Sequence, residues 1–199
     1  VTGVQTCALP ISQCLDHWFD RSPSRTREAF CGQLGLDASR PFILWVCSAL
    51  IYGSPAEAPL VIEWIRSLRA SSDPSLRDVG VLVRPHPSRA AEWEAIDTRA
   101  LNAVVWGSNP IDEQARSDYF DSIFHSAAVV GINTSAFIEA GIVGRPVLTI
   151  VMPAYEDNQH GTVHFGYLLK AGGGLLTIAS GMDAHLAQLS AEQIGRAHV

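Results

Sequence analysis

The chain has 199 residues, 47% of them hydrophobic, and a formal net charge of -6. That length allows one sizeable core. The acidic balance excludes a broad nucleic-acid footprint, and no apolar run is long enough to cross a bilayer. The four cysteines (Cys7, Cys14, Cys31 and Cys47) form no CxxC pair and show no zinc spacing. They read as reduced, mostly buried thiols of a cytoplasmic protein.

At the start of the chain, "VTGVQTCALPI" (1–11) resembles one reading frame of a common sequencing-adapter oligonucleotide. "IGRAHV" (194–199) resembles a frame of the same adapter family read in the other orientation. The first segment lacks the positive n-region and small-residue cleavage site of a signal peptide. Both ends are therefore expected to be non-native, flanking an internal piece of a longer protein. Residues 12–40 read as a linker from an upstream domain: a polar turn, one helix and a Gly/Pro-punctuated lead-in to a sheet. A single domain is expected over 41–192.

Within that domain, apolar runs predict strands at 42–47, 79–83, 103–106, 128–132, 147–151 and 175–178. They are rich in Val, Ile and Leu without polar alternation, as suits a parallel sheet covered on both faces. Helices are predicted over 56–70, 90–96, 118–126, 135–142 and 164–170. Ser54-Pro55-Ala56-Glu57 reads as a capping box with proline at the first helical position. The alternation predicts an α/β fold: a doubly wound, Rossmann-like, mostly parallel six-stranded sheet. Trp45, Trp64, Trp93 and Trp106 fall in or beside these elements and read as core.

Ligands of open parallel sheets collect beyond the carboxyl ends of the strands, and three candidate loops fall there. In "GINTSAFIEAGIVGRPVLTI" (131–150), Thr134 and Ser135 stand where a helix begins. Their hydroxyls and free backbone N–H groups suit a phosphate, and Glu139, near the same helix face, suits a ribose. The plainer reading is an ordinary N-cap with a solvated glutamate. In "VLVRPHPS" (81–88), prolines on both sides of His86 stiffen the strand exit and hold Arg84 and His86 as an anion-binding or acid–base pair. In "EDNQHGTVHFGYL" (156–168), Gln159 and Thr162 suit a nucleotide or sugar, although a simple polar loop reads as well. His160 and His164 stand four apart, but with no third ligand evident no metal is expected. Nucleophile-elbow, P-loop and dinucleotide-fingerprint motifs are absent.

"RPHP" followed by "NTS" is similar to the His-Pro and Ser/Thr motifs of bacterial sialyltransferases and of CDP-glycerol-using glycerophosphotransferases. "EAGIVGRPVL" resembles the acidic helix and Gly-x-Pro turn of many GT-B enzymes and of UDP-N-acetylglucosamine 2-epimerases. Over roughly residues 25 to 190 the chain resembles the C-terminal, nucleotide-binding half of a GT-B glycosyltransferase. The resemblance implies donor phosphate or nucleotide contacts for His86, Thr134 and Ser135, with His86 catalytic, and a ribose contact for Glu139. It implies sugar or glycerophosphate transfer from a nucleotide-activated donor in surface-polysaccharide assembly, with no cofactor or metal. It also implies an N-terminal acceptor domain, outside this chain, that supplies the general base. By itself the chain is expected to turn over nothing. An epimerase-like isomerase and a non-enzymatic nucleotide-binding α/β module stay open as alternatives.

Overall fold

The computed structural model describes residues 15–170 and 173–196, by backbone alone from residue 193 onward. The expected foreign stretch 1–11 and the last residues of the other, 197–199, lie outside the described residues. Six strands, β1 (Phe42–Val46), β2 (Gly80–Arg84), β3 (Ala103–Val105), β4 (Ala128–Val130), β5 (Val147–Ile150) and β6 (Leu176–Ala179), form one sheet in the order β3-β2-β1-β4-β5-β6. Every neighbouring pair is parallel, so the sheet expected to be mostly parallel is wholly so.

The two-residue period of the strands divides the core. Ile43 and Trp45 join Val81 and Val83 in one buried cluster, whereas Phe42 and Leu44 join Leu82 in the other. The first face is covered by α3 (Glu57–Ala70), α4 (Pro74–Arg77) and α8 (Met182–Arg196), through Val61, Trp64, Leu76 and Leu189. The second is covered by α2 (Arg27–Leu34), α5 (Glu113–His125), α6 (Ala136–Ile142) and α7 (Val163–Leu168), through Phe30, Phe120, Phe137 and Phe165. Helices on both faces of a parallel sheet make the fold doubly wound.

Several elements depart from the sequence reading, each for a local reason. The expected linker packs as part of the second layer: Trp18, in α1 (helical over 15–19), and Phe30 and Cys31 in α2 are buried against Phe42 and Phe120. The helix expected at 118–126 starts earlier, because the Asp112 side chain caps it by accepting from the Ala115 N–H at 2.8 Å. The stretch expected as a helix near 90–96 is instead a 3-10 segment, Pro87–Trp93.

The capping box does not form. The N-cap is Ala56, without a side-chain bond. The Glu92 carboxylate, from the 3-10 segment, accepts from the Glu57 and Ala58 N–H groups at 2.8 and 3.2 Å instead. Glu57 turns inward and accepts from Trp45 Nε1 and the Ser48 N–H, both at 2.8 Å. The helices α1, α4 and α8 were not anticipated, nor were the 3-10 segments Arg99–Leu101 and Pro153–Asn158; α8 continues past residue 193 to Arg196. Among the described residues no helix is long and apolar enough to cross a membrane.

Candidate functional site

The loops leaving the carboxyl ends of β1 to β4 enclose a cleft of about 370 Å³. Arg84, His86, Thr134, Ser135 and Glu139, drawn from two distant parts of the sequence, all line it. Pairing explains the convergence. Val46 is in register with Arg84, and Trp45 with Val130, so both loops leave the sheet at one rim. Gly131 lets the chain leaving β4 pass close to the end of β1: a Cβ there would lie 2.7 Å from the Val46 carbonyl oxygen. The chain then continues to Asn133, whose N–H donates to Ser48 Oγ at 3.2 Å.

Arg84 is the last residue of β2 and only 4% exposed. Its guanidinium lies 5.4 Å from the Trp106 ring centroid and 5.2 Å from that of Tyr119. It donates to Ser122 Oγ at 3.0 Å and to the Ser108 carbonyl at 3.2 Å. Those partners are neutral, and among the described residues Arg84 makes no ion pair. Burial lowers its pKa to about 10, which leaves the side chain a cation at neutral pH. Gly107, at φ +120°, is needed here, because a Cβ would stand 2.4 Å from the guanidinium carbon. Arg84 is thus built into the floor rather than extended into the cleft.

His86 is half-buried on the wall. Its Nδ1 accepts from the Ser88 N–H at 3.3 Å and lies 2.8 Å from the Ser88 hydroxyl. An accepting Nδ1 assigns the proton of the neutral ring to Nε2, which is then a donor. Burial, followed by the charge of Arg89, holds its pKa below the ordinary histidine value.

Across the cleft, Ser135 is exposed and makes no side-chain cap bond. Thr134 Oγ1 accepts from the Ala136 N–H at 3.3 Å, so one of the backbone donors expected to be free is occupied. The helix that follows has 7 residues, too few aligned peptide dipoles for the N-terminus alone to hold an anion. The hydroxyls and the buried cation remain. Glu139 accepts a hydrogen bond from the Tyr119 hydroxyl. Its pKa is raised by burial, against a lowering by that bond.

Gln159 and Thr162 are placed otherwise than expected. Gln159 is 0% exposed. Its Oε1 accepts from the Met152 N–H at 3.1 Å, and its Nε2 donates to Ile150 O at 2.8 Å and to Ile132 O and Thr149 Oγ1 at 3.3 Å. The amide therefore closes the ends of β4 and β5 and does not reach the cleft. Thr162 caps α7, accepting from the Phe165 N–H at 3.3 Å, and also accepts from Asn133 Nδ2 at 2.9 Å. Both residues fasten the loop. No group of three or more His, Cys, Asp or Glu side chains among the described residues is placed to hold a metal ion.

Sequence reasoning missed Tyr119 and Asn133. Tyr119 lies mid-helix in an aromatic cluster with Trp18 and Phe120, where a sequence pattern reads only core. Asn133 directly precedes the hydroxyl pair, and that adjacency was the available signal. Its Nδ2 is bonded to Asn158 O at 2.6 Å and to Thr162, while its Oδ1 is buried without a partner.

No family model and no curated protein matches the chain. Solved structures do. The E. coli ADP-heptose lipopolysaccharide heptosyltransferase II matches with a TM-score of 0.52 at 13% identity, over 88% of this chain and 53% of that one. WaaG, a glycosyltransferase involved in lipopolysaccharide biosynthesis, gives 0.50 at 17%, over 88% and 44%. The H548A form of the wall teichoic acid polymerase TagF gives 0.50 at 10%, over 94% and 44%. The fold is shared with these GT-B glycosyltransferases. The chain spans about half the length of each.

Proposed function

We propose that the cleft holds the phosphates of a nucleotide-activated donor, and that this chain is the donor-binding half of a glycosyl- or glycerophosphoryl-type transferase acting in surface-polysaccharide assembly. The observation that carries this reading is Arg84: a buried guanidinium bonded only to neutral oxygens, beneath a cleft walled by an exposed hydroxyl and a histidine donor. A buried charge without a counter-charge is unfavourable by itself. An anion above it relieves that cost, and in a partly desolvated cleft the attraction is stronger than in water.

The geometry supports one assignment of roles. Nε2 of His86 donates to a phosphate oxygen, and Ser135 and Thr134 donate from the facing wall. As the bond to the leaving phosphate's oxygen breaks, from the anomeric carbon in sugar transfer or from the glycerophosphoryl phosphorus in glycerophosphate transfer, its electron pair stays on that oxygen and negative charge accumulates on the leaving phosphate. Arg84 and His86 are already in place to stabilise it, so the interaction strengthens in the transition state. The acceptor and its base belong to the part of the protein outside this chain, as does closure over the rim.

Calorimetric titration with CMP, CDP and UDP tests the reading. Expected is weak binding, tighter for the diphosphates, that is lost in His86→Ala and Ser135→Ala. No binding of any of the three, or binding indifferent to both substitutions, would refute it.

A further inference from the structure

Resting on the nucleotide reading above, we infer that Tyr119 is a positioning residue: it orients Glu139 so that the cleft selects a ribonucleotide over a 2′-deoxyribonucleotide. Glu139 stands in α6 on a wall shared by the cleft and an adjoining pocket of about 470 Å³. One carboxylate oxygen, Oε2, accepts from the Tyr119 hydroxyl. The other, Oε1, has no hydrogen-bond partner among the described residues and is not sealed from the surface. A free carboxylate turns about its side-chain torsions. One with an oxygen held by a buried donor presents its second oxygen in a single direction.

The donor is unusually well fixed. Arg84 packs over one Tyr119 ring face at 5.2 Å, and Trp18 meets the same ring at 5.7 Å and 89°. The phenol therefore cannot swing away without breaking both contacts. Burial, then the neighbouring Glu139, pushes its ionisation well above the ordinary tyrosine value. It remains an O–H donor across the working pH range. Arg84 thus contributes a cation beneath the cleft and also the platform for the Tyr119–Glu139 pair.

A carboxylate acceptor on the wall of a cleft that also carries Ser135 suits the vicinal diol of a ribose whose phosphates lie over that hydroxyl. A 2′-deoxyribose lacks one of those hydroxyls. Hydrogen bonds to charged groups contribute roughly 1.5–3 kcal/mol, which corresponds to about 10- to 100-fold in affinity.

The test compares CDP with 2′-deoxy-CDP by calorimetry on the wild-type chain, Tyr119→Phe and Glu139→Gln. Tyr119→Phe keeps the ring, so thermal melting should show it folded. Wild type should prefer CDP by about 10-fold or more. Tyr119→Phe should shrink that preference to about threefold or less while leaving 2′-deoxy-CDP affinity within about twofold, and Glu139→Gln should also shrink it. A packing role alone would weaken both nucleotides equally. Equal weakening, or an unchanged preference in Tyr119→Phe, overturns the inference while the nucleotide reading stands. If neither nucleotide binds the wild-type chain, the nucleotide reading falls and this inference with it.

Discussion

Two polar loops at the same rim of the sheet turn out to be different objects. The loop after β4 leaves capacity open: Ser135 is exposed without a side-chain cap bond, and one Glu139 oxygen is bonded to nothing among the described residues. The loop after β5 has none to offer at its key positions. All four polar contacts of Gln159 point into the protein, and Asn158 fastens the β1–α3 loop by accepting from the Ile51 N–H at 2.6 Å and donating to Ser54 Oγ at 2.7 Å. Polar composition does not separate the two; occupied hydrogen-bonding capacity does. A loop whose amides and hydroxyls complete the backbone of its neighbours is scaffold, and one whose groups remain open under a buried cation is a site.

The largest effect that could break this comparison concerns Gln159. Gln159→Leu removes one acceptor and a donor shared by several buried oxygens. It should lower the unfolding free energy by about 3 kcal/mol in urea denaturation. A ligand-contact role would instead leave stability nearly unchanged and reduce nucleotide binding alone.

The next prediction sharpens the comparison by removing location from it. His185 in α8 is 0% exposed, packs against Trp64 at 6.3 Å, and has neither ring nitrogen bonded. Open capacity in a dry core is not a site. Burial lowers its pKa to about 4, below the value in an unfolded chain, so the unfolded state binds the proton more readily. The stability it permits is complete above about pH 6.5 and is lost as pH falls towards 4. The loss between pH 6.5 and 5 should be about 2 kcal/mol. His185→Phe should flatten that part of the pH–stability curve, and an unchanged slope would put its cause elsewhere.

The smallest effect lies at His86. Its free-protein pKa sits below the ordinary value, and an anion at Nε2 would raise it. Binding then takes up a proton, and CDP affinity should rise a few-fold as pH is lowered from 8 to 6. His86→Gln should retain only the slope that belongs to the phosphate itself. Equal slopes in the two proteins would show that His86 does not meet the anion.

The legible and illegible parts of this chain divide along the same line. All six strands were readable because uninterrupted Val, Ile and Leu runs have few other uses. Arg84 and His86 stood out because prolines fix the chain around them, and Thr134 and Ser135 because a strand ends there. α8 was overlooked although Met182, Leu186 and Leu189 carry helical spacing and pack on the first core cluster. Its last residues belong to the segment that resembles adapter sequence, which masks the helical pattern before them. Tyr119 and Gln159 were not legible in principle. Whether a tyrosine mid-helix meets a carboxylate, or whether an amide is already occupied by the backbone of β5, depends on contacts that a linear pattern does not contain.

The central claim is that an unpaired cation under the rim makes this cleft an anion site. The most direct measurement is the affinity of CDP relative to cytidine, in the wild-type chain and in Arg84→Met. Methionine fills similar space without charge, and replacing a buried cation that makes no ion pair among the described residues in this way should leave thermal stability close to that of wild type. The account predicts that wild type favours CDP by about tenfold or more and that Arg84→Met loses most of that preference, since any loosening of Tyr119 and Glu139 falls on both ligands and cancels in the ratio. A preference for CDP that survives intact in a folded Arg84→Met protein would contradict it.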